Sequence, residues 1–216
     1  MTDCDREKVL AINVKLKEIL LRPMDGPGVC PSAVSGLHLV RRESVNSSER
    51  CFAKPLAAVI IQGIKHSMVG TREYHIRENQ CLVSGVDMPS VSYVVEPTPE
   101  RPFLSLFFYL DRQILIDLVM EMTPESRPSF MDGQGVSVAD AEPDFMESVL
   151  RLAELLDKPQ QIPIRAPIIM RELHYLLLVG PQGGILQELY TQGARNNQVI
   201  QAISLLRRNI ATPLRV

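Results

Sequence analysis

The fold is decided by the segment Leu56-Ala-Ala-Val-Ile-Ile-Gln-Gly-Ile-Lys65. Its first six residues form an apolar run that becomes β-branched towards its end. The run is bounded by Pro55 and Gly63, and this pattern is typical of a buried strand. Residues 65–76 predict a hairpin, because Gly70-Thr71 can form a two-residue type II′ turn in which glycine takes a positive φ.

Further short strands are predicted at fairly even spacing along the chain. They lie at 80–85, 91–95 and 102–110, and an earlier strand is predicted at 37–42. A loop is expected at 24–28 and a polar loop at 43–50. Such closely spaced strands indicate a β-sandwich or a barrel.

Helical periodicity lies on both sides of this β region. Apolar residues recur at helical spacing in six segments: 5–20, 112–122, 142–157, 164–179, 185–190 and 198–209. Asp111 is the expected N-cap of the second. Residues 123–136 are rich in proline and glycine, so they predict a surface loop, beyond which no strand pattern is present. The expected fold class is α+β.

The composition is that of an ordinary globular protein. Of the 216 residues, 45% are hydrophobic and 22% are charged, which argues against disorder. The net charge of −2 indicates no general preference for nucleic acid or anionic membranes. The four cysteines contain no Cys-x-x-Cys pair. Without a secretory signal or a long apolar run, we expect a reduced, cytoplasmic protein.

Several short segments follow one another in a recognisable order. In the first half they are Ile61-Gln-Gly-Ile-Lys65, Gly70, Tyr74, Leu82-Val-Ser-Gly-Val-Asp-Met-Pro89, Pro102-Phe-Leu-Ser-Leu106 and Leu110-Asp111. In the second half they are Arg171-Glu-Leu-His-Tyr-Leu-Leu-Leu-Val-Gly-Pro-Gln-Gly183, Leu186, Ile200-Gln-Ala-Ile203, Ile210 and Pro213-Leu-Arg-Val216. From about Leu37 to its end, the chain resembles the N-terminal domain of AraC-type transcriptional regulators.

This resemblance implies a cupin-like β-barrel of the jelly-roll (double-stranded β-helix) type that binds a small effector. One helix at 1–22 would precede the barrel at 23–123, and a helical dimerisation region at 124–216 would follow it. In the family, two DNA-binding helix-turn-helix units come next, and this chain ends where the first would begin. We therefore expect a truncated bacterial regulator, with a natural stand-alone domain as the alternative. DNA would be bound only by the absent part, in agreement with the near-neutral charge.

The strand Phe103-Leu-Ser-Leu-Phe-Phe-Tyr-Leu110 has two apolar faces. Alternation places Phe103, Ser105, Phe107 and Tyr109 on one of them. Both faces can be covered if one lines a lumen and the other meets a helix. We expect the face with Ser105, Phe107 and Tyr109 to bind a small organic ligand, joined by Tyr93 and His38. The alternative is that these are ordinary core residues with locally bonded hydroxyls.

No catalytic residue, metal or cofactor is predicted. The chain has four histidines: His38, His66, His75 and His174. They form no His-x-His pair, and neither Glu73 nor Glu78 has the spacing of the metal-binding cupin pattern. We expect His66 and His75 to be exposed or hydrogen-bonded residues of a hairpin. No Gly-x-Ser-x-Gly elbow is present either.

The helix at 142–157 carries four regularly spaced apolar residues: Phe145, Val149, Leu152 and Leu156. They can pack against the barrel or pair with a second copy, and the resemblance favours a homodimer interface. Arg207, Arg208 and Arg215 are expected on a solvated face rather than on DNA. Besides a regulatory module, two alternatives stay open: a small cupin enzyme, and a barrel that binds no ligand and only dimerises.

Overall fold

The computed structural model of the chain describes residues 2–24, 26–45, 49–122 and 135–191. Within these ranges it contains ten β-strands and five α-helices. The strands are β1 Gly28–Pro31, β2 Leu37–Arg42, β3 Glu49–Ala53, β4 Leu56–Gln62, β5 Ile64–Val69, β6 Arg72–Arg77, β7 Gln80–Ser84, β8 Met88–Val95, β9 Phe103–Tyr109 and β10 Val136–Asp140. The helices are α1 Asp3–Leu21, α2 Arg112–Glu121, α3 Pro143–Glu154, α4 Ile162–Val179 and α5 Gly183–Tyr190.

The strands are divided between two antiparallel sheets. The six-stranded sheet, called the large sheet, has the order β1-β2-β9-β4-β7-β10, and the four-stranded small sheet has the order β3-β8-β5-β6. The α+β class is therefore confirmed. The closed barrel is not, because no strand pairing among the described residues joins one sheet to the other.

The segment that decides the fold crosses from one sheet to the other. β4 lies inside the large sheet, with Ala57, Val59 and Ile61 fully buried. Gly63 follows with a φ of +89°, and β5 then begins in the small sheet. A Cβ on Gly63 would lie 3.2 Å from the ring of Phe103. This crossing therefore favours glycine both for its positive φ and for the close approach of β9.

The large sheet has apolar side chains on both faces. On its outer face, Val59, Leu104, Leu106 and Phe108 belong to one core with residues of all five helices. On its inner face, Phe103 packs with Val94 of the small sheet in a second, smaller core. This is the division of β9 into two faces that strand alternation predicts.

The local signals at turns and helix ends agree with the structure. Gly70 has a φ of +60° at the tip of the β5–β6 hairpin. The side chain of Asp111 accepts hydrogen bonds from the amides of Gln113 and Ile114 at 2.8 and 3.2 Å and so caps α2. Thr2 and Asp5 form a reciprocal capping box at the start of α1.

Three strands occur where the sequence pattern predicted none. β1 follows directly on the loop predicted at 24–28, and β3 overlaps the polar loop predicted at 43–50. β10 pairs with β7 beyond the boundary after which no strand was expected. All three are edge strands of four or five residues. Because an edge strand is held by pairing on one side, a short one needs little apolar periodicity, and pattern reasoning misses it.

Several expectations lie outside the described residues. They are most of the predicted loop at 123–136, the helix at 198–209, and Arg207, Arg208 and Arg215. Within the described ranges, no helix combines the length and apolar character that a membrane span requires.

Candidate functional site

Three of the predicted ligand-binding side chains meet on the inner face of the large sheet. His38 on β2 is paired directly with Phe107 on β9. Their rings stack with a centroid separation of 4.7 Å and an interplanar angle of 0°. The ring of Tyr109 meets both edge-on, at 5.3 Å from His38 and 5.7 Å from Phe107. We call these three residues the inner-face cluster.

The inner-face cluster lies at the less buried end of β9. Phe103 is only 2% exposed and Ser105 only 5%, whereas Phe107 and Tyr109 are half-buried. The ammonium group of the exposed Lys54 lies 5.6 Å from the centroid of the Tyr109 ring. Flat apolar rings beside a hydroxyl, an imidazole and a cation suit an organic ligand with an apolar body and a polar or acidic group.

Tyr93 does not join the inner-face cluster. It is on β8 in the small sheet, and its neighbour Val94 packs towards the large sheet. Alternation therefore turns Tyr93 to the opposite face, where it is 42% exposed. Its hydroxyl oxygen lies 3.0 Å from Nδ1 of His66. The expectation that Tyr93 lines the same surface as His38 is therefore wrong.

The side chains predicted to form a dimer interface pack within the chain. Phe145 is 5% exposed, and Val149 and Leu152 are each 1% exposed. They belong to the core that contains α1 and α4, and Leu156 packs against it. Both α1 and α4 contact α3. A second copy could not reach the first three without separating these helices. Their packing is therefore intramolecular and involves α1 and α4.

Among the described residues, four hydrogen bonds, three of them buried, join the helical region to the backbone around the large sheet, and sequence reasoning missed them. They are Asn13 Nδ2–H to the Ile61 carbonyl (3.0 Å), Gln182 Nε2–H to the Cys81 carbonyl (2.7 Å), Tyr190 O–H to the Gly85 carbonyl (2.9 Å) and the Asp111 amide to His174 Nε2 (2.8 Å). For Asn13, His174 and Tyr190 the available signal was a polar group within an apolar helical segment, whereas Gln182 lies in the turn before α5 and gave no such signal. Buried polar groups of this kind need partners, and here the partners are backbone atoms of another element.

His174 connects α4 to the end of β9. Its Nδ1–H donates to the Met170 carbonyl at 2.6 Å, which leaves Nε2 free to accept the Asp111 amide. The side chain is fully buried, and burial lowers its pKa below the usual 6.5, although the Met170 hydrogen bond and Asp111 act in the opposite sense. The neutral ring therefore dominates at neutral pH. The ring of Phe108 lies 5.9 Å from that of His174.

One group of metal-ligating side chains is found among the described residues. His66, Glu73 and His75 lie on the small sheet with their ligand atoms within 4.8 Å of one another. His66 lies on β5, and Glu73 and His75 lie on β6, so the expectation that the two histidines belong to one hairpin is confirmed, whereas their approach to Glu73 was not predicted.

Residues 33–185 match the family described as AraC-type transcriptional regulator N-terminus. No curated protein matches the chain.

Solved structures provide a comparison of folds. The fatty-acid-bound ToxT of Vibrio cholerae strain SCE256 is 8% identical, with a TM-score of 0.52 over 83% of this chain and 65% of ToxT. ToxT of Vibrio cholerae O395, bound to (E)-4-(8-methylnaphthalen-1-yl)but-3-enoic acid, is 10% identical, with a TM-score of 0.55 over 83% of this chain and 67% of ToxT. The chain thus spans about two thirds of the length of these proteins, and at such identities the likeness is one of fold.

Proposed function

Since the chain belongs to the AraC-type transcriptional regulators and matches their N-terminus over residues 33–185, we propose that it is the effector-binding and dimerisation domain of a bacterial, cytoplasmic regulator. A C-terminal domain outside this chain would bind DNA. The observation that carries the proposal is the position of β9. This one strand carries Phe107 and Tyr109 of the inner-face cluster on one face and contacts the helical region with the other.

We propose a small organic effector held between the two sheets, which together serve as the cupin-like unit. Phe107 and Tyr109 would contact its apolar body, and His38 and Ser105 would supply hydrogen bonds. Lys54 beside Tyr109 favours an effector with an acidic group. The two acids bound by ToxT in the compared structures suggest apolar carboxylic acids as the first class to test.

An effector would act through β9 on the helices. Phe107 and Tyr109 alternate with Phe108, whose ring approaches His174 on α4. The amide of Asp111, just beyond β9, is hydrogen-bonded to the same histidine. An effector that fits one position of β9 better than another would therefore bias the position of α4. Only such a difference in affinity between two states can transmit a signal.

We expect Phe107→Ala and Tyr109→Ala to abolish effector binding. An effector at 100 times its dissociation constant stabilises the folded domain by about 2.7 kcal/mol, which a thermal-shift screen detects. The Tm of wild type should rise with a compound from a panel of apolar carboxylic acids that includes unsaturated fatty acids. Calorimetry should then show that the two variants no longer bind this compound. Tyr93→Ala is the matched control, because Tyr93 lies on the opposite face of the other sheet.

The regulatory role is tested in a protein that carries this domain with its DNA-binding part. There the same two variants should leave promoter binding intact while promoter output no longer responds to the effector. A response that persists in both variants would refute the proposed site. If wild type shows no shift with any compound of a broad panel, the ligand-free dimerisation domain becomes the better interpretation.

We propose that dimerisation uses the exposed side of α4 rather than α3. Four apolar side chains are exposed there: Ile164 (71%), Ile168 (64%), Tyr175 (44%) and Val179 (39%). At about 100° per residue they fall within an arc of roughly 60°. They therefore form one apolar stripe along a helix whose other side is buried, the arrangement expected of a helix that pairs with its twin.

The double variant Ile164→Asp/Ile168→Asp is expected to convert a dimer into a monomer, because it places two charges in an apolar interface. Light scattering coupled to size exclusion measures the mass. Leu10→Asp/Val14→Asp is the matched control, since these α1 residues are 55% and 57% exposed and also one turn apart. Dissociation by the α1 pair alone, or a monomeric wild type, would contradict the interface on α4.

A further inference from the structure

The exposed face of the small sheet carries a row of polar side chains from three neighbouring strands. The strand register places His66 on β5 directly opposite His75 on β6, and Tyr93 on β8 opposite His66 from the other side. Glu73 precedes His75 by two residues on β6, so alternation brings it to the same face. We call His66, Glu73 and His75 the hairpin triad.

The geometry points to a site for a divalent transition-metal ion in the hairpin triad. An Oε1 atom of Glu73 lies 3.1 Å from Nδ1 of His66 and 3.6 Å from Nε2 of His75. The imidazole rings are 3.9 Å apart, centroid to centroid. Ligand atoms around a tetrahedral ion at about 2.1 Å are separated by roughly 3.4 Å. The two distances to the Glu73 oxygen are therefore close to the spacing that a shared ion requires, and all three ligand atoms lie within 4.8 Å of one another.

The chemistry of the hairpin triad matches such an ion. Two imidazole nitrogens and one carboxylate oxygen suit Zn²⁺ or Ni²⁺ and are poor partners for Ca²⁺ or Mg²⁺, which prefer oxygen ligands. Oε1 of Glu73 and Nδ1 of His66 lie within hydrogen-bonding distance, so an ion would take the place of the proton between these two atoms. Metal ligation by imidazole uses an unprotonated ring nitrogen, so binding would release any proton held on the ligating nitrogens.

The surroundings leave the ion accessible and hold one ligand in place. The side chains of Glu73 and His75 are 43% and 52% exposed, whereas that of His66 is 18% exposed. Water can therefore reach the ion and occupy its remaining coordination positions. The ring of Tyr93 lies 5.0 Å from that of His66, and its hydroxyl oxygen lies 3.0 Å from Nδ1, so Tyr93 positions the His66 ring and its hydroxyl would give up this contact when Nδ1 binds the ion. A bound ion would tie β6 to β5 at the side of the sheet away from the inner-face cluster, so this site is independent of the proposed effector.

Titration of the tag-free chain with Zn²⁺ and with Ni²⁺ in a calorimeter tests the inference. Wild type should bind one ion per chain. His66→Gln and His75→Gln should each weaken binding at least about tenfold, because even groups that only support a ligand are worth about ten- to a hundredfold. Tyr93→Phe should change affinity by less than either. Cys4→Ser, which removes an exposed thiol outside the hairpin triad, is the control and should bind as wild type does.

Three further readouts distinguish loss of the site from misfolding and from adventitious binding. Circular dichroism without metal should be the same in wild type and both histidine variants. Addition of Zn²⁺ should raise Tm only where the hairpin triad is intact. The Co²⁺ form should show ligand-field bands without a thiolate charge-transfer band. Unchanged affinity in well-folded histidine variants, a thiolate band, or no binding by wild type would each overturn the site.

Discussion

The Phe108→Ala variant is expected to lose about 3–5 kcal/mol of unfolding free energy, the usual cost of removing a buried aromatic ring. Phe108 has no exposed surface and lies in the main core, with its ring 5.9 Å from that of His174. Truncation leaves a cavity between β9 and α4 that neither element can close, because both are fixed by other contacts. Urea denaturation measures the loss, and an unchanged slope would show that the unfolded state is unaffected.

Phe107→Ala is the matched comparison for this prediction. The two phenylalanines are adjacent, but Phe107 is half-buried on the inner face, so its truncation should cost roughly half as much stability or less. Its main effect should be on effector binding. Equal losses of stability in the two variants would contradict the division of β9 into a helix-facing and an inner face.

Strong local signals made much of the β region predictable. The apolar run at β4 could only be a buried element, and Gly63 and Gly70 mark a crossing and a turn that require positive φ. Alternation along β9 placed Phe107 and Phe108 on opposite faces, because the period of a strand depends on no other part of the chain. The start of α2 at Asp111 followed from capping chemistry in the same way, whereas the capping box of Thr2 and Asp5 was not predicted.

Features that depend on pairing between distant segments could not be predicted. The face of Tyr93 depends on β8 lying in the small sheet, and the sequence near Tyr93 does not encode that choice. Phe145 and Val149 have the same spacing whether they face α1 or a second copy, so only the docking of α1 decides. The hairpin triad was predictable in part, because the turn at Gly70-Thr71 already sets the register that places His66 opposite His75, whereas the approach of Tyr93 depends on the pairing of β5 with β8.

The hydrogen bonds between helices and strands could not be predicted either, because they join segments that are distant in the sequence. Gln182 looks like a turn residue after α4, yet its amide reaches the Cys81 carbonyl on β7. Asn13 interrupts the apolar stripe of α1, and its side-chain amide donates a hydrogen bond to the carbonyl of Ile61 on β4. Each of these polar residues departs from the local sequence pattern because its hydrogen-bond partner lies on a distant segment. Together their hydrogen bonds attach the helical region to the large sheet.

The Gly183→Ala variant should be among the most damaging single changes in the chain. A methyl group at this position would overlap the carbonyl group of Leu178, with 2.6 Å to its carbon atom. The obstacle is backbone, so no side chain can move to relieve it. Gly183 starts α5 directly after Gln182, and α5 ends at Tyr190, whose hydroxyl donates to the Gly85 carbonyl. Displacing the start of α5 would therefore disturb both buried hydrogen bonds to the β7 segment as well.

We expect Gly183→Ala to lower the free energy of unfolding by about 3 kcal/mol or more, combining overpacking with the disturbed hydrogen bonds. Thermal and urea unfolding measure this loss. The matched control is Gly28→Ala, because a methyl group on Gly28 would meet no atom within 4 Å. That variant should stay within about 0.5 kcal/mol of wild type. If the two glycine variants proved equally stable, the close approach of α5 to the end of α4 would be refuted, and with it the geometry that lets Gln182 and Tyr190 reach the β7 segment.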